Sequence, residues 1–521
     1  MTGRGLELRT MTTTIDRSPR PRAAVTGFGP VLHAEWTKFR TVPGWVGGLL
    51  AGAALIVALG LATGLSGNCG NDCGATPGPG GEPVTDSYYF VHRPLAGNGT
   101  LTVRVAALAG TIPAANGPGQ VPGLAPWAKA GLIITGTRPG AAYAAVMLTG
   151  HHGPRMQYDY AGDLAGPVKG AGNAGPPRWL RLTRSGDTFT GYQSADGTTW
   201  QRIGAVRLAG VPRTAQAGLF VASPQWVQAT DASGAGTSGA PTQATAVFDQ
   251  LAVRGGRSPG GWAGAQVGGN PDGPNMPPDG VRKAGGRLTV TGSGDIAPSV
   301  AGGAGFGVTI TQTLVGTFAG LIAVVVVAGL FMTAEYRRGL IRVTLAASPR
   351  RGRVLAAKAA VIAAVAFVTG LAAAAVVVTV GQRELRADGV GVYPVTWLTE
   401  LRVIAGTGVV LAGAALLALG LGALLRRSAG AVSAAIVLVV LPYILAFGVL
   451  PQGAGAWLLR VTPAAAFAVQ QTLPQYPQVS DVYVSSAGYF PLSAWAGLAV
   501  LGGWAALALG LAALALRRRD A

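Results

Sequence analysis

Acidic side chains are scarce in this sequence: 21 Asp and Glu stand against 40 Lys and Arg in 521 residues, a formal net charge of +19. Glycoside hydrolysis needs two carboxylates flanking a cleft. Residues 67–304 offer Glu82 in a Gly/Pro-rich stretch and scattered aspartates such as Asp159, Asp163, Asp187 and Asp196, so no hydrolase is expected there. Histidine and cysteine are nearly absent, at four and two residues. Cys69 and Cys73 have no histidine nearby, which argues against a metal site; on an oxidising side of a membrane they are candidates for a small disulfide. His151 and His152 fall in a Gly/Pro-flanked turn without further ligands and read as solvated loop. A phosphate-binding loop of the type Gly-x4-Gly-Lys-Ser/Thr is missing, so the chain is not expected to hydrolyse ATP by that route. The long apolar runs carry essentially no ionisable residue, which disfavours proton- or sodium-coupled transport.

What is present is apolar. Charged residues make up 12% of the chain and the mean hydropathy is +0.40, which points to a membrane protein. The basic excess follows topology rather than nucleic-acid binding: nineteen of the 40 Lys and Arg lie in 1–43, 334–358, 426–427 and 517–519. Such clusters stay on the cytoplasmic side, and no nucleic-acid partner is expected. Residues 1–30 read as a polar, disordered tail, with Met1 and Met11 both usable as starts. In 31–43, Leu32, Trp36 and Phe39 share one helical face while Glu35 and Lys38 face elsewhere; this reads as an interfacial helix broken at Pro43. The first span is 44–66, where Gly48, Gly52, Gly60 and Gly64 have the spacing of close helix contact. Five more runs follow in 305–521, at about 311–333, 359–381, 403–425, 430–450 and 491–516. Six crossings put both termini inside and 67–304 outside. Pro463 sits like a first helical residue, so 463–472 is expected to form a short outer or re-entrant helix.

Between the first two spans, Gly/Pro-rich linkers at 67–85 and 255–304 flank β-type sequence at 86–254; one further strand is expected at 287–291. Asp196-Gly197 is a hairpin signal between strands 188–194 and 198–203. Regularly spaced short strands predict an antiparallel sandwich. Trp179, Tyr192 and Trp200 are candidates for glycan contact, with hairpin packing as the alternative.

Two resemblances sharpen this reading. Trp-Ala-Lys-Ala-Gly-Leu-Ile-Ile (127–134), Tyr-Ala-Ala-Val-Met-Leu-Thr (143–149), the segment 179–200 and Val-Phe-Asp-Gln-Leu-Ala-Val (247–253) look like concanavalin-A-like, laminin-G-like modules, which implies a jelly-roll sandwich. Ala-Glu-Tyr-Arg-Arg-Gly (334–339) with the basic stretch to Lys358, His-Ala-Glu-Trp-Thr-Lys-Phe-Arg-Thr-Val (33–42) and Thr-Pro-Ala-Ala-Ala-Phe (462–467) resemble permease subunits of type-2, exporter-like ATP-binding-cassette (ABC) transporters. That resemblance spans all six apolar runs and leaves out the insert. It implies a polytopic α-helical permease with an extracellular β-sandwich between helices 1 and 2, not itself an enzyme. Its partners would be cytosolic ABC ATPase subunits, a second copy or a sister permease, membrane lipids and, through the sandwich, cell-wall glycan. The chain would hold no cofactor or metal; ATP and Mg would belong to the ATPase. The loop 334–358 would be the coupling segment, with Glu335, Tyr336, Arg337, Arg338, Gly339, Arg342, Arg350 and Arg351 at the contact. Anchoring of these arginines on lipid phosphates is the plainer alternative. Glu335 at a helix C-terminus needs a cation close by, and Arg337 and Arg338 are nearest in sequence. A membrane-anchored glycan-binding or sensor protein is the competing function.

Overall fold

The computed structural model describes residues 27–65, 76–115, 119–167, 177–232, 237–256, 260–268, 278–300, 308–337, 339, 344, 350–388, 390 and 392–518. Helix α1 spans Phe28–Thr41 and α2 spans Pro43–Leu65. The residue before a proline is pushed out of the helical region, and Val42 is extended at φ −100°, ψ 100°. The break therefore falls where the sequence puts it, although α1 starts at Phe28 rather than 31. Helices α3 (Thr317–Arg337), α4 (Arg351–Val376), α5 (Trp397–Leu425), α6 (Ser428–Gly448), α7 (Gln452–Val461) and α8 (Ala494–Arg518) follow. Among the described residues, six helical stretches are long and apolar enough to cross a membrane: 43–62, 310–337, 351–387, 397–425, 428–448 and 494–518.

Two of these outrun their apolar cores. The third begins at Arg351 rather than 359 and continues through a π-helical turn, Val377–Gly381, into Gln382–Ala387. The fourth begins at Trp397 rather than 403, capped by Thr396, whose side chain accepts from the Thr399 N–H. Helix ends are set by caps and backbone partners, so charged residues such as Lys358 and Arg402 ride inside helices that hydropathy would trim. The expected short helix after Pro463 is a 3₁₀ stretch, Pro463–Gln470, buried along its whole length, with the proline in its first turn.

Gly48, Gly52 and Gly60 of α2 do what their spacing predicts. A Cβ added at Gly52 would lie 2.9 Å from the Ala323 Cβ, and one at Gly60 would lie 2.8 Å from the Thr313 carbonyl oxygen. From the other side, a Cβ at Gly316 would meet the Ile56 carbonyl oxygen at 2.5 Å. Backbones touch here because neither helix has a side chain in the way. The membrane core then closes over Leu321, Val325, Leu411, Ala415 and Phe467.

Between α2 and α3 the chain forms two antiparallel sheets. One runs Gln201–Arg207, Thr188–Ser194, Arg178–Ser185, Gly99–Pro113, Gln243–Gly255, Arg287–Gly292, Gly280–Ala284, with Gln120–Pro122 added to Gly99–Pro113. The other runs Ala263–Val267, Tyr88–Ala96, Thr214–Ala222, Lys129–Thr135, Tyr143–Thr149, Pro154–Tyr158, Gly162–Ala165. Leu101, Val103, Leu180, Leu182 and Phe248 from the first face Leu132, Val146, Leu219 and Val221 from the second in one buried core. This is the expected sandwich, with larger limits. The stretch 255–304 is not a linker with one strand: Ala263–Val267, Gly280–Ala284, Arg287–Gly292 and Ile296–Pro298 all pair. Arg287–Gly292 is the expected strand; Ala263–Val267 and Gly280–Ala284 are largely exposed edge strands that need little apolar sequence, and Ile296–Pro298 is too short to show a period. Nor is Asp196-Gly197 a two-residue turn. The strand resumes only at Gln201, because Asp196 Oδ1 accepts from the N–H groups of Thr198 (2.8 Å) and Thr199 (2.7 Å) and folds the loop on itself.

A three-stranded neck joins the sandwich to the helices. Pro83–Asp86 pairs with Thr76–Pro77 on one side and Ile296–Pro298 on the other, with Val84 opposite Pro298. The buried Lys129 ammonium holds the return passage through Asp295 (2.5 Å) and the Ile296 carbonyl (2.7 Å). The loop before α8 meets the sandwich: Gln478 donates to the Ala161 carbonyl at 3.0 Å. Asp481 lies in the same junction, beside Thr85, Pro224 and Asp295. Burial raises its carboxyl to about 6 despite the N–H donated by Val482. A folded-state value raised above 3.8 means that the native junction binds the proton more readily than the unfolded chain does. Stability is then fullest at low pH and falls as pH rises through about 6. Asp481→Asn should therefore melt above the wild type at pH 7.5, with the difference narrower at pH 5 and closed only below the unfolded value of 3.8; a pH-independent difference would contradict this.

Candidate functional site

The end of the bundle carrying Arg337, Arg350 and Arg426 holds a compact charged cluster. Helix α1 packs against it through Glu35 and Phe39, both almost fully buried, while Trp36 is 41% exposed. The sequence reading had Glu35 facing away from the apolar side; in the fold it turns inward. Its partner explains why. The Lys358 ammonium on α4 donates to Glu35 Oε2 at 2.6 Å and lies 2.8 Å from Glu335 Oε1 on α3. Lys38 bonds Glu35 Oε1 at 2.7 Å and Glu335 Oε1 at 2.9 Å, and reaches Thr344 at 3.4 Å. Two carboxylates and two ammoniums thus cancel. Glu35, Glu335 and Lys358 are buried and Lys38 closes the cluster from the solvent side. Burial opposes the Lys38 charge, but its hydrogen bonds to Glu35 and Glu335 prevail and its pKa is raised.

Aromatic rings wall the cluster. Phe331 meets Phe39 and Trp45 edge-on at 5.7 and 5.1 Å, and Lys358 Nζ stands 4.4 Å from the Phe331 ring centre. Such surroundings leave each charge dependent on its partner rather than on water. One atom is left over: among the described residues Glu335 Oε2 is buried without a hydrogen-bond partner. The arrangement locks α1, the end of α3 and the start of α4 into one body, at the two roots of the loop between Arg337 and Arg351.

The residues singled out in sequence divide around this cluster. Glu335 is in it, but its cations are Lys38 and Lys358, not Arg337. Arg337, Gly339 (φ +65°) and Arg350 are exposed at the loop roots. Arg338 and Arg342 lie outside the described residues. Arg351 is turned inward, donating to the Leu516 carbonyl at the end of α8 at 2.5 Å, where a cation also complements the helix dipole. Tyr336 packs beneath Arg426, whose guanidinium lies 5.3 Å from its ring. Sequence reasoning missed Glu35, Lys38 and Lys358 as a unit; the signal available was three charges close to or inside otherwise apolar helices.

On the sandwich, Trp179, Tyr192 and Trp200 share the outward face of one sheet, since Leu180, Leu182 and Phe189 point inward. Trp179 fills the space under Gly197, where a Cβ would sit 2.6 Å from its ring, and the Arg181 guanidinium covers Trp200 at 3.7 Å. His152 stacks on Trp127 at 3.8 Å. Cys69 and Cys73 lie outside the described residues. Among the described residues no group of three or more His, Cys, Asp or Glu is placed to hold a metal ion.

A family model described as an ABC-2 family transporter protein matches residues 191–521. The chain belongs to the ABC-2 transporter family. The match to this ABC-2 family protein takes in the later part of the sandwich and α3 to α8, and leaves out α1 and α2; the resemblance read from sequence had included the first span and excluded the insert. Membership makes the chain a membrane protein of a transport system and implies association with ABC ATPase subunits. No curated protein matches it. Among solved structures, the GH43 BlXynB protein from Bacillus licheniformis is similar at 16% identity over 24% of this chain and 24% of its own, with a TM-score of 0.17. A functionally unknown protein from Saccharomyces cerevisiae is similar at 13% identity over 33% of this chain and 76% of its own, with a TM-score of 0.20. The ABC-2 family protein spans about a quarter of the first of these structures, and likenesses at this level carry no argument about function.

Proposed function

We propose that this chain is the membrane-spanning permease subunit of an ATP-driven, type-2 exporter. Six helices cross the membrane, with the basic end and both termini in the cytoplasm and the sandwich outside, as the distribution of Lys and Arg favours. The chain pairs with a second copy or a sister permease. ATP and Mg belong to separate ATPase subunits that dock at the basic end, over the loop 334–358. The observation that carries this reading is the Glu35–Lys38–Glu335–Lys358 cluster. A neutral, buried ion network rigidly joins three helices at both roots of the loop, so force applied there reaches the bundle as a rigid-body movement rather than being lost in the connector. A sandwich that binds cell-wall glycan, with the helices as a mere anchor, has less support: two of its three candidate rings already have partners within the chain.

Two measurements test the proposal. In a Cys69→Ser, Cys73→Ser background, a cysteine introduced by Ser348→Cys should react with an impermeant maleimide only after cells are permeabilised; labelling in intact cells would reverse the topology. The full chain, solubilised from its native membrane, should carry with it a subunit that photolabels with azido-ATP. Repeated purification without one would favour the anchored-sensor reading.

A further inference from the structure

At the sandwich end of the bundle, a cavity of about 730 Å³ opens between α5, α6, α7, the buried 3₁₀ stretch and the start of α8. Its size is that of a small-molecule site. Arg402 and Arg460 line it, and no Asp or Glu does. Neither arginine forms an ion pair among the described residues. Arg402 sits in the second turn of α5, where its guanidinium donates to the Gln471 carbonyl while its Nε is buried without a partner. The wall around it is built: Gln471 itself is fixed by accepting from the Phe490 N–H (2.9 Å) and donating to the Leu473 carbonyl (2.9 Å). Ala446, Leu459 and Phe490 add apolar lining. The nearby carboxylate Glu400 is engaged elsewhere, by Gln382 at 3.1 Å.

An arginine inside a membrane helix is costly unless something answers its charge, and a guanidinium with donors to spare matches an oxyanion in fork geometry. We propose that this cavity binds an amphiphilic anion: a phosphate or similar oxyanion group held by Arg402 and Arg460, joined to an apolar chain lying against Leu459 and Phe490. The site goes beyond the permease reading and does not rest on it, because binding is measured on the chain alone.

The full chain in dodecyl maltoside should bind dodecyl phosphate saturably in equilibrium dialysis. Arg402→Gln should weaken binding at least roughly tenfold, Arg402→Lys less, since it keeps the charge but loses the fork; Arg460→Gln should weaken it roughly threefold or more. Inorganic phosphate at the same concentration should not compete. Phosphatidylglycerol in nanodiscs that displaces the probe would mark the bilayer as the source of the ligand; failure to displace it would mark a soluble organic anion of the same chemistry. Inorganic phosphate binding as tightly as dodecyl phosphate, or unchanged binding in both Gln variants, would overturn the assignment. Should Arg402→Gln fail to fold, Arg460→Gln, exposed on α7, decides alone.

Discussion

Lys358→Met should destabilise the protein by about 3–5 kcal/mol, the usual cost of stranding a buried charge by removing its partner. Among the described residues, Glu35 Oε2 then loses its donor and Glu335 Oε1 keeps Lys38 alone. Two carboxylates then face one ammonium in a pocket walled by Phe39, Trp45 and Phe331. Thermal unfolding in detergent would read this as a fall of about 5 °C. The decisive variant is the double one. Glu35→Gln with Lys358→Met removes one charge of each sign and should recover most of the loss, because neutral groups cost far less to keep buried than an unpaired ion. A single variant that melts with the wild type, or a double variant no better than the single, would mean the cluster does not act as a closed unit.

The second large effect concerns the surface beside that cluster. Arg337→Glu with Arg350→Glu should abolish recovery of the ATPase subunit, by at least tenfold, with the melting temperature unchanged. Both side chains are exposed at the loop roots and have no hydrogen bond or ion pair among the described residues, so stability has little to lose. A partner surface complementary to positive charge would instead meet like charge, which costs several kcal/mol. The cysteine introduced at position 348 reports whether the altered charges have reversed the membrane orientation, so a topological artefact separates from a docking defect. Full ATPase recovery in a correctly oriented variant would place docking elsewhere.

The two experiments act on residues of unequal legibility. The exposed arginines, the six apolar helices and the glycine contacts of α2 were all readable, because each is written in local composition or spacing. The charged cluster was only half readable. Glu335 announces its need for a cation, but its partners lie 297 residues before it on α1 and a loop away on α4. Sequence proximity pointed to Arg337 and Arg338 instead. Glu35 was misread for a related reason: periodicity treats a carboxylate as solvent-facing, and only a distant lysine makes the inward turn affordable. The strand at Arg287–Gly292 was readable, but Ala263–Val267 and Gly280–Ala284 escaped because edge strands with exposed faces need little apolar alternation, and Ile296–Pro298 because three residues show no period. Arg402 falls outside the apolar run 403–425 because hydropathy ends a span where the first charge appears, whereas the Thr396 cap starts the helix earlier.

The neck has a consequence for how the molecule could be dismantled. Its outgoing and incoming passages, Pro83–Asp86 and Ile296–Pro298, are neighbouring strands, about 4.8 Å apart. A hinge of two or three glycines would bridge that gap. The outer module is therefore joined covalently through a single seam, and an exchange made there would leave the helix connection intact but would expose the surfaces that Gln478 and Asp481 cover.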